Sequence, residues 1–250
     1  MAGHSKFKNI QHRKGAQDAK RAKFFTKLAR EITVASRLGG PDPDSNARLR
    51  AGIIAARQQN MPKDNIDRAV KKGSGPAEGE NYEEMRYEGF GPGAVSIIVE
   101  ALTDNKNRTA ADVRSTYAKY GGNMGETGSV SFGFEHCGRV AYPASVADSD
   151  AFFEAALEVG ADDVQSSDDE HEAFCSIEDF NNVRDGLEKV YGEANESKII
   201  WKPNNLIEVS EGHARTLLKL IDMLEDNDDV QTVTCNFDIS DEIMEILAAE

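Results

Sequence analysis

The sequence predicts a multi-domain α and α+β protein: an N-terminal basic three-helix domain followed by two ferredoxin-like α+β domains, one inserted in the other. Three observations lead there. Charge changes sign along the chain, with 17 Lys and Arg against 6 Asp and Glu in residues 1–75 (net +11) and 12 against 38 in residues 76–250 (net −26). The hydrophobic period changes near the same place, from helical spacing to short β-branched runs alternating with helices. Those later elements read β-α-β twice in two outer segments and β-α-β twice between them. The domains are accordingly placed at 1–76, at 77–135 plus 204–250, and at 136–203.

The first helix is predicted from Gly15 to Leu38. At 100° per residue Ala22, Phe25, Leu28, Ala29, Ile32 and Ala35 share about 140° of arc, and Lys20, Lys23, Lys27, Arg30 and Arg37 share about 100° on the other side. One face packs and the other is a basic stripe. A turn at Gly39-Gly40-Pro41-Asp42-Pro43 separates it from a second helix, capped by Asp44 or Ser45, and a third runs from Pro62 to Gly73. Gly73 to Glu80 carries the marks of a linker. Beyond it, Gly89-Phe90-Gly91-Pro92-Gly93 is read as a turn between two strands, because a strand, Val95 to Val99, follows where a dinucleotide fingerprint needs a helix. The outer unit then comprises Ala94–Leu102, Thr109–Tyr120 and Ser129–Phe134, resuming with Leu206–Val209, Glu211–Glu225 and Val230–Phe237. The inner unit comprises Gly138–Tyr142, a helix Ser149–Val159, Val164–Ser167, Ala173–Ile177, a helix carrying Phe180, Val183, Leu187 and Val190, and Lys198–Trp201. The repeat of Asp162-Asp163-Val164-Gln165-Ser166 in Asp228-Asp229-Val230-Gln231-Thr232, each after a helix and opening a strand, supports the pairing of units. In such an arrangement, loops of the outer unit join residues far apart in sequence.

Composition excludes several classes of function. The net charge of −15 would argue against a nucleic-acid partner if it were uniform, but exposed charges are screened beyond about 8 Å at physiological salt, so a basic module can act alone. No apolar run approaches the length of a membrane span. Three scattered cysteines without a CxxC pair make neither a disulfide framework nor a zinc ribbon, and the five histidines show no ligand spacing, so no metal and no cofactor are expected. Phosphate-loop, zincin and nucleophile-elbow motifs are absent, leaving no visible equipment for nucleotide hydrolysis, zinc proteolysis or serine hydrolysis, and no small-molecule substrate is expected. Asp42 to Ile53 fails as a calcium loop at its sixth and twelfth positions.

Two features suit polyanions. The tail holds Lys6, Lys8, His12, Arg13 and Lys14 around Phe7 with no acid in its first 14 residues, a pattern fit for phosphate contacts and base stacking; the alternative is a solvated terminus or a transit peptide. It leads into Lys20, Arg21, Lys23, Lys27, Arg30 and Arg37, whose alternative is a solvated helix face. A second anion site is expected at Asn105, Lys106, Asn107 and Arg108, between a strand and a helix N-terminus; a capping loop, with Asn107 or Thr109 as the cap, reads equally well.

Met1-Ala2-Gly3-His4-Ser5-Lys6, Lys14 to Arg21, Asn60-Met61-Pro62-Lys63-Asp64-Asn65-Ile66, Tyr87 to Gly93 and Ala101 to Thr109 resemble the YebC family, which includes the mitochondrial translational activator of cytochrome c oxidase subunit one. Phe7 stands where members commonly carry Trp, which weakens a stacking role without removing it. The resemblance implies three domains and no enzymatic activity. It also implies two functions: a ribosome-associated translation factor that helps synthesis through consecutive prolines, or a DNA-binding transcriptional regulator. The first is preferred, because a mobile basic tail with aromatics suits folded RNA more than a B-form major groove and no helix-turn-helix is assignable. The expected partners are ribosomal RNA or tRNA for residues 1–40, with the acidic units setting orientation or meeting ribosomal proteins, in the cytoplasm and away from membranes.

Overall fold

A computed structural model describes residues 17–75 and 82–248. Three helices come first: α1 (Gln17–Gly39), α2 (Ala47–Gln58) and α3 (Lys63–Ser74). Their common core is Ile32, Ala35, Leu49, Ile53, Ala56, Met61, Ile66 and Ala69, with Phe25, Leu28 and Ala29 packed beside it. The packing face of α1 is the one its periodicity predicts, except that Ala22 is exposed, while Thr33, Val34 and Ser36 are also buried, so this part of the helix is covered all round. Thr33 and Ser36 donate their hydroxyls to Ala69 O and Val70 O of α3 at 3.2 and 2.9 Å. The cap of α2 is Asn46, not Asp44 or Ser45. Its Oδ1 accepts from Leu49 N at 3.0 Å while its Nδ2 donates to Ala35 O and Gly40 O, so one buried amide also ties α2 to the end of α1.

The outer unit is built on β1 (Glu83–Phe90), β2 (Ser96–Thr103), α4 (Lys106–Lys119) and β3 (Asn123–Met124), and the chain returns to it later. The inner unit follows as β4 (Phe134–Pro143), α5 (Ser149–Glu158), β5 (Asp163–Ser166), β6 (Glu170–Cys175), α6 (Phe180–Tyr191) and β7 (Glu196–Pro203). Then come β8 (Ile207–Glu208), α7 (Glu211–Glu225), β9 (Val230–Cys235), β10 (Phe237–Asp238) and α8 (Asp241–Ala248).

The inner sheet, in order β5-β6-β4-β7 and antiparallel throughout, is the ferredoxin-like arrangement with each strand in its expected place. The outer sheet, β3-β1-β2-β9, keeps that spatial order by a different route. The central β2 lies between β9 and β1, and β1, which precedes it in the chain, holds the place that the expected plan gives to a strand following α4. Two sequence expectations give way here. Ser129–Phe134 is not a strand: Val130 and Ser131 donate their main-chain N–H groups to the buried carboxylate of Glu88, both at 2.9 Å, and the chain makes a short 3-10 turn before β4. The predicted strand Leu206–Val209 shrinks to β8, which pairs in parallel with β10 outside the main sheet. The Asp-Asp-Val-Gln repeat opens edge strands in both units, but they are the second strand of the inner plan and the last strand of the outer one.

Alternation along β2 divides its side chains between two cores. Ile97, Val99 and Ala101 face α4 and α7, with Tyr117, Leu217, Leu220 and Ile221. Ile98 faces Val130, Phe134 and Trp201 at the junction with the inner unit. Trp201 is stacked on His136 (4.1 Å between centroids), is covered by the Arg86 guanidinium at 4.8 Å, and donates its Nε1 to Glu100 at 3.2 Å. Cys137, Cys175 and Cys235 are free and buried.

Candidate nucleic-acid interface

The basic stripe of α1 meets the acidic loop that joins α7 to β9. Lys23 Nζ donates to the Asp226 carboxylate at 2.6 Å, and Lys27 Nζ to the carbonyl of Glu225. Arg30 Nη1 lies 2.9 Å from each of Leu102 O, Asp228 O and Asp229 Oδ1. Two physical reasons favour this contact: the last carbonyls of α7 carry the negative end of its dipole, and the loop adds Asp226, Asp228 and Asp229. The three pairings are unequal. Lys23 and Asp226 are about half exposed, so their bridge contributes little in water. Burial is the largest influence on Lys27 and lowers its pKa, with Glu225, Asp228 and Asp226 opposing it. Arg30 and Asp229 are nearly withdrawn from solvent, at 14% and 7% side-chain exposure, and there the pairing is least screened by water.

Asp229 is the centre of this contact. Besides Arg30 it accepts from Arg108 Nη2 at 2.7 Å, Thr109 Oγ1 at 2.7 Å and Thr103 Oγ1 at 3.2 Å. Burial is the strongest influence and opposes its charge, yet hydrogen bonds from Arg108, Thr109 and Arg30 together keep its pKa below the usual value. The loop predicted as a second anion site therefore already faces an anion, the protein's own carboxylate. The cap of α4 is Asn105, not Asn107 or Thr109: Asn105 keeps a non-helical backbone and its Oδ1 accepts from Arg108 N at 3.1 Å, while Thr109, inside the helix, points its hydroxyl at Asp229 and Thr103. Arg108 also pairs with Asp104, and Lys106 with Glu83 at 3.5 Å; Asn107 is exposed. The expected independence of the basic module from the acidic body does not hold at these residues.

Other predicted residues lie elsewhere. Lys6, Phe7, Lys8, His12, Arg13 and Lys14 fall outside the described residues, as does the side chain of Lys20. Arg21 is exposed, its guanidinium 5.3 Å from the centroid of Phe25, and Arg37 is half-buried in the last turn of α1. A second cationic surface lies on α2 and α3, where Arg57, Lys63, Arg68 and Lys71 are exposed and form no ion pair among the described residues. The strong basic stripe of α1 overshadows it in the sequence, where α3 is short and carries Asp64 and Asp67 beside its cations. The spacing was informative, since Arg68 and Lys72 are four residues apart and share a face. Among the described residues, no group of three His, Cys, Asp or Glu side chains is arranged to hold a metal ion, and no helix is long and apolar enough to cross a membrane.

Comparison with known proteins adds to this geometry. Residues 5–76 match the TACO1/YebC protein N-terminal domain, and residues 82–237 match the TACO1/YebC second and third domain. The fold is similar to the crystal structure of a conserved hypothetical protein from Aquifex aeolicus, with 46% sequence identity, a TM-score of 0.81, and coverage of 91% of this chain and 94% of that one.

Proposed function

The chain belongs to the TACO1/YebC family, and on that premise we propose that it is a non-enzymatic regulator of gene expression acting in the cytoplasm at the ribosome. It binds ribosomal or transfer RNA through the N-terminal helical domain and eases synthesis of difficult, proline-rich stretches. The observation that carries this reading is the cationic surface of the helical domain: Arg21, Arg57, Lys63, Arg68 and Lys71 face solvent without an acidic partner among the described residues, in a chain whose net charge is −15. Such a surface has phosphate as its natural counterpart. The three stripe cations held by the acidic loop fix the helical domain against the outer sheet, so the RNA-facing surface is presented in one orientation. A factor of this kind needs no reacting group, since holding a bound tRNA in a productive pose lowers the barrier to peptide transfer by positioning alone.

Co-sedimentation with ribosomes tests the reading. The fourfold variant Arg21→Glu, Arg57→Glu, Lys63→Glu and Lys71→Glu should remain folded, because all four side chains are exposed, and should leave the ribosomal pellet. Unchanged sedimentation would reject this surface. Footprinting of a specific promoter at physiological salt, without ribosome association, would instead make the protein a DNA-binding transcriptional regulator.

A further inference from the structure

A cleft of about 370 Å³ opens between α1, α3 and Tyr82, lined by Phe25, Arg30, Asn65, Arg68, Lys72 and Tyr82 among others. Its size is at the lower end for small-molecule sites, enough for one ring with its phosphate and too small for a stacked base pair. Its chemistry is divided in the same way. Its lining is apolar at Phe25, Met61 and Ala69, the last two buried, and cationic at Arg68 and Lys72, which are exposed on one face of α3. Arg68 is exposed and pairs with no acid among the described residues. The Asn65 side-chain amide, which has both donors and an acceptor, makes no hydrogen bond among the described residues.

The wall formed by Tyr82 is fixed in place. The Arg30 guanidinium lies 5.1 Å from its ring centroid and is itself pinned by Asp229 at 2.9 Å, so the contact between helical domain and outer sheet also shapes the cleft. A site preorganised in this way loses less on ordering when a ligand enters.

We infer that this cleft receives a single unpaired nucleotide of the bound RNA, the base against Phe25 and Tyr82, its edge at Asn65, and the phosphate at Arg68 and Lys72. This rests on the RNA-binding reading above and refines it: an aromatic wall recognises the face of an unstacked base, which a duplex does not offer.

Fluorescence anisotropy of the full-length protein, with a labelled single-stranded RNA, the blunt duplex of the same sequence and free AMP, tests the assignment. The single strand should bind more tightly than the duplex at equal salt. Asn65→Ala, at a solvent-accessible position on α3, should weaken the single strand about tenfold and leave the duplex unchanged, whereas Arg68→Ala, which also removes one of the open cations, should weaken both and the single strand more. Equal loss on both ligands overturns the cleft and leaves the RNA reading standing. So does an unaffected single strand, if Arg57→Glu with Lys71→Glu weakens it. AMP bound as tightly as the RNA would make this a mononucleotide site and overturn the assignment. Failure to bind any nucleic acid at low salt removes the RNA reading and the cleft with it.

Discussion

Replacing Asp229 by Asn preserves the shape of the side chain and removes the charge shared by Arg30 and Arg108, leaving two guanidinium groups facing a neutral amide. Loss of one partner from a buried charged cluster costs about 3 kcal/mol, which urea unfolding should show. The dependence on pH has a definite sign. Because the folded pKa of Asp229 is depressed, its contribution is fully present above the unfolded value of about 3.9 and is lost as pH falls through the lower folded value. The stability difference between wild type and Asp229→Asn should therefore be constant near neutrality and close below about pH 4. Glu88 has an analogous position, its side chain wholly buried and accepting from Val130 N and Ser131 N. Glu88→Gln can keep one oxygen on Val130 N and Ser131 N, which both point at Oε2, but turns its amide hydrogens toward Arg86 Nε, 3.0 Å from Oε1, and urea unfolding should show a loss of about 2 kcal/mol. Neither residue was legible as a key position. Asp229 reads as one acid in a solvated cluster, and its partner Arg30 lies 199 positions away.

Helical elements were the most legible, because an amphipathic period is a local property. The packing arc of α1, the Gly-Pro turn after it and the start of α3 at Pro62 could all be read from spacing. Strand β1 was harder, since Glu83, Glu84, Arg86 and Glu88 give it a polar sequence, and only the glycine turn after it implied a strand there. Ser129–Phe134 misled because its β-branched and aromatic residues suit a strand, while the carboxylate that captures its backbone comes from β1. Close packing of α1 on α3 can be tested at Gly73, where a Cβ would stand 2.3 Å from Thr33 O and 2.7 Å from Ser36 Cβ. Alanine at an open helical site stabilises by about 1 kcal/mol relative to glycine, but overpacking costs about 1–3 kcal/mol. Gly73→Ala should therefore lower the melting temperature, whereas a mutation acting through helix propensity alone would raise it.

At the scale of the whole molecule the division of charge was legible and its docking was not, since composition gives the sign of a segment but not what it touches. Docking changes the expected response to salt. With about five open cations on phosphates, affinity for single-stranded RNA should fall with a log–log slope of roughly −3.5. Asp226→Asn combined with Asp229→Asn should take the carboxylate partners from Lys23 and Arg30, Lys27 staying on the Glu225 carbonyl, and steepen the slope to roughly −5. An unchanged slope in the double variant would show that these two cations stay out of reach of RNA. Finally, the separation of 198 to 203 residues between the stripe cations and their loop partners orders events in time. At about 5–20 residues per second of synthesis, α1 is made roughly 10–40 s before the loop that covers it. Each newly made copy therefore passes through an interval in which its most cationic helix is exposed beside the ribosome that is making it.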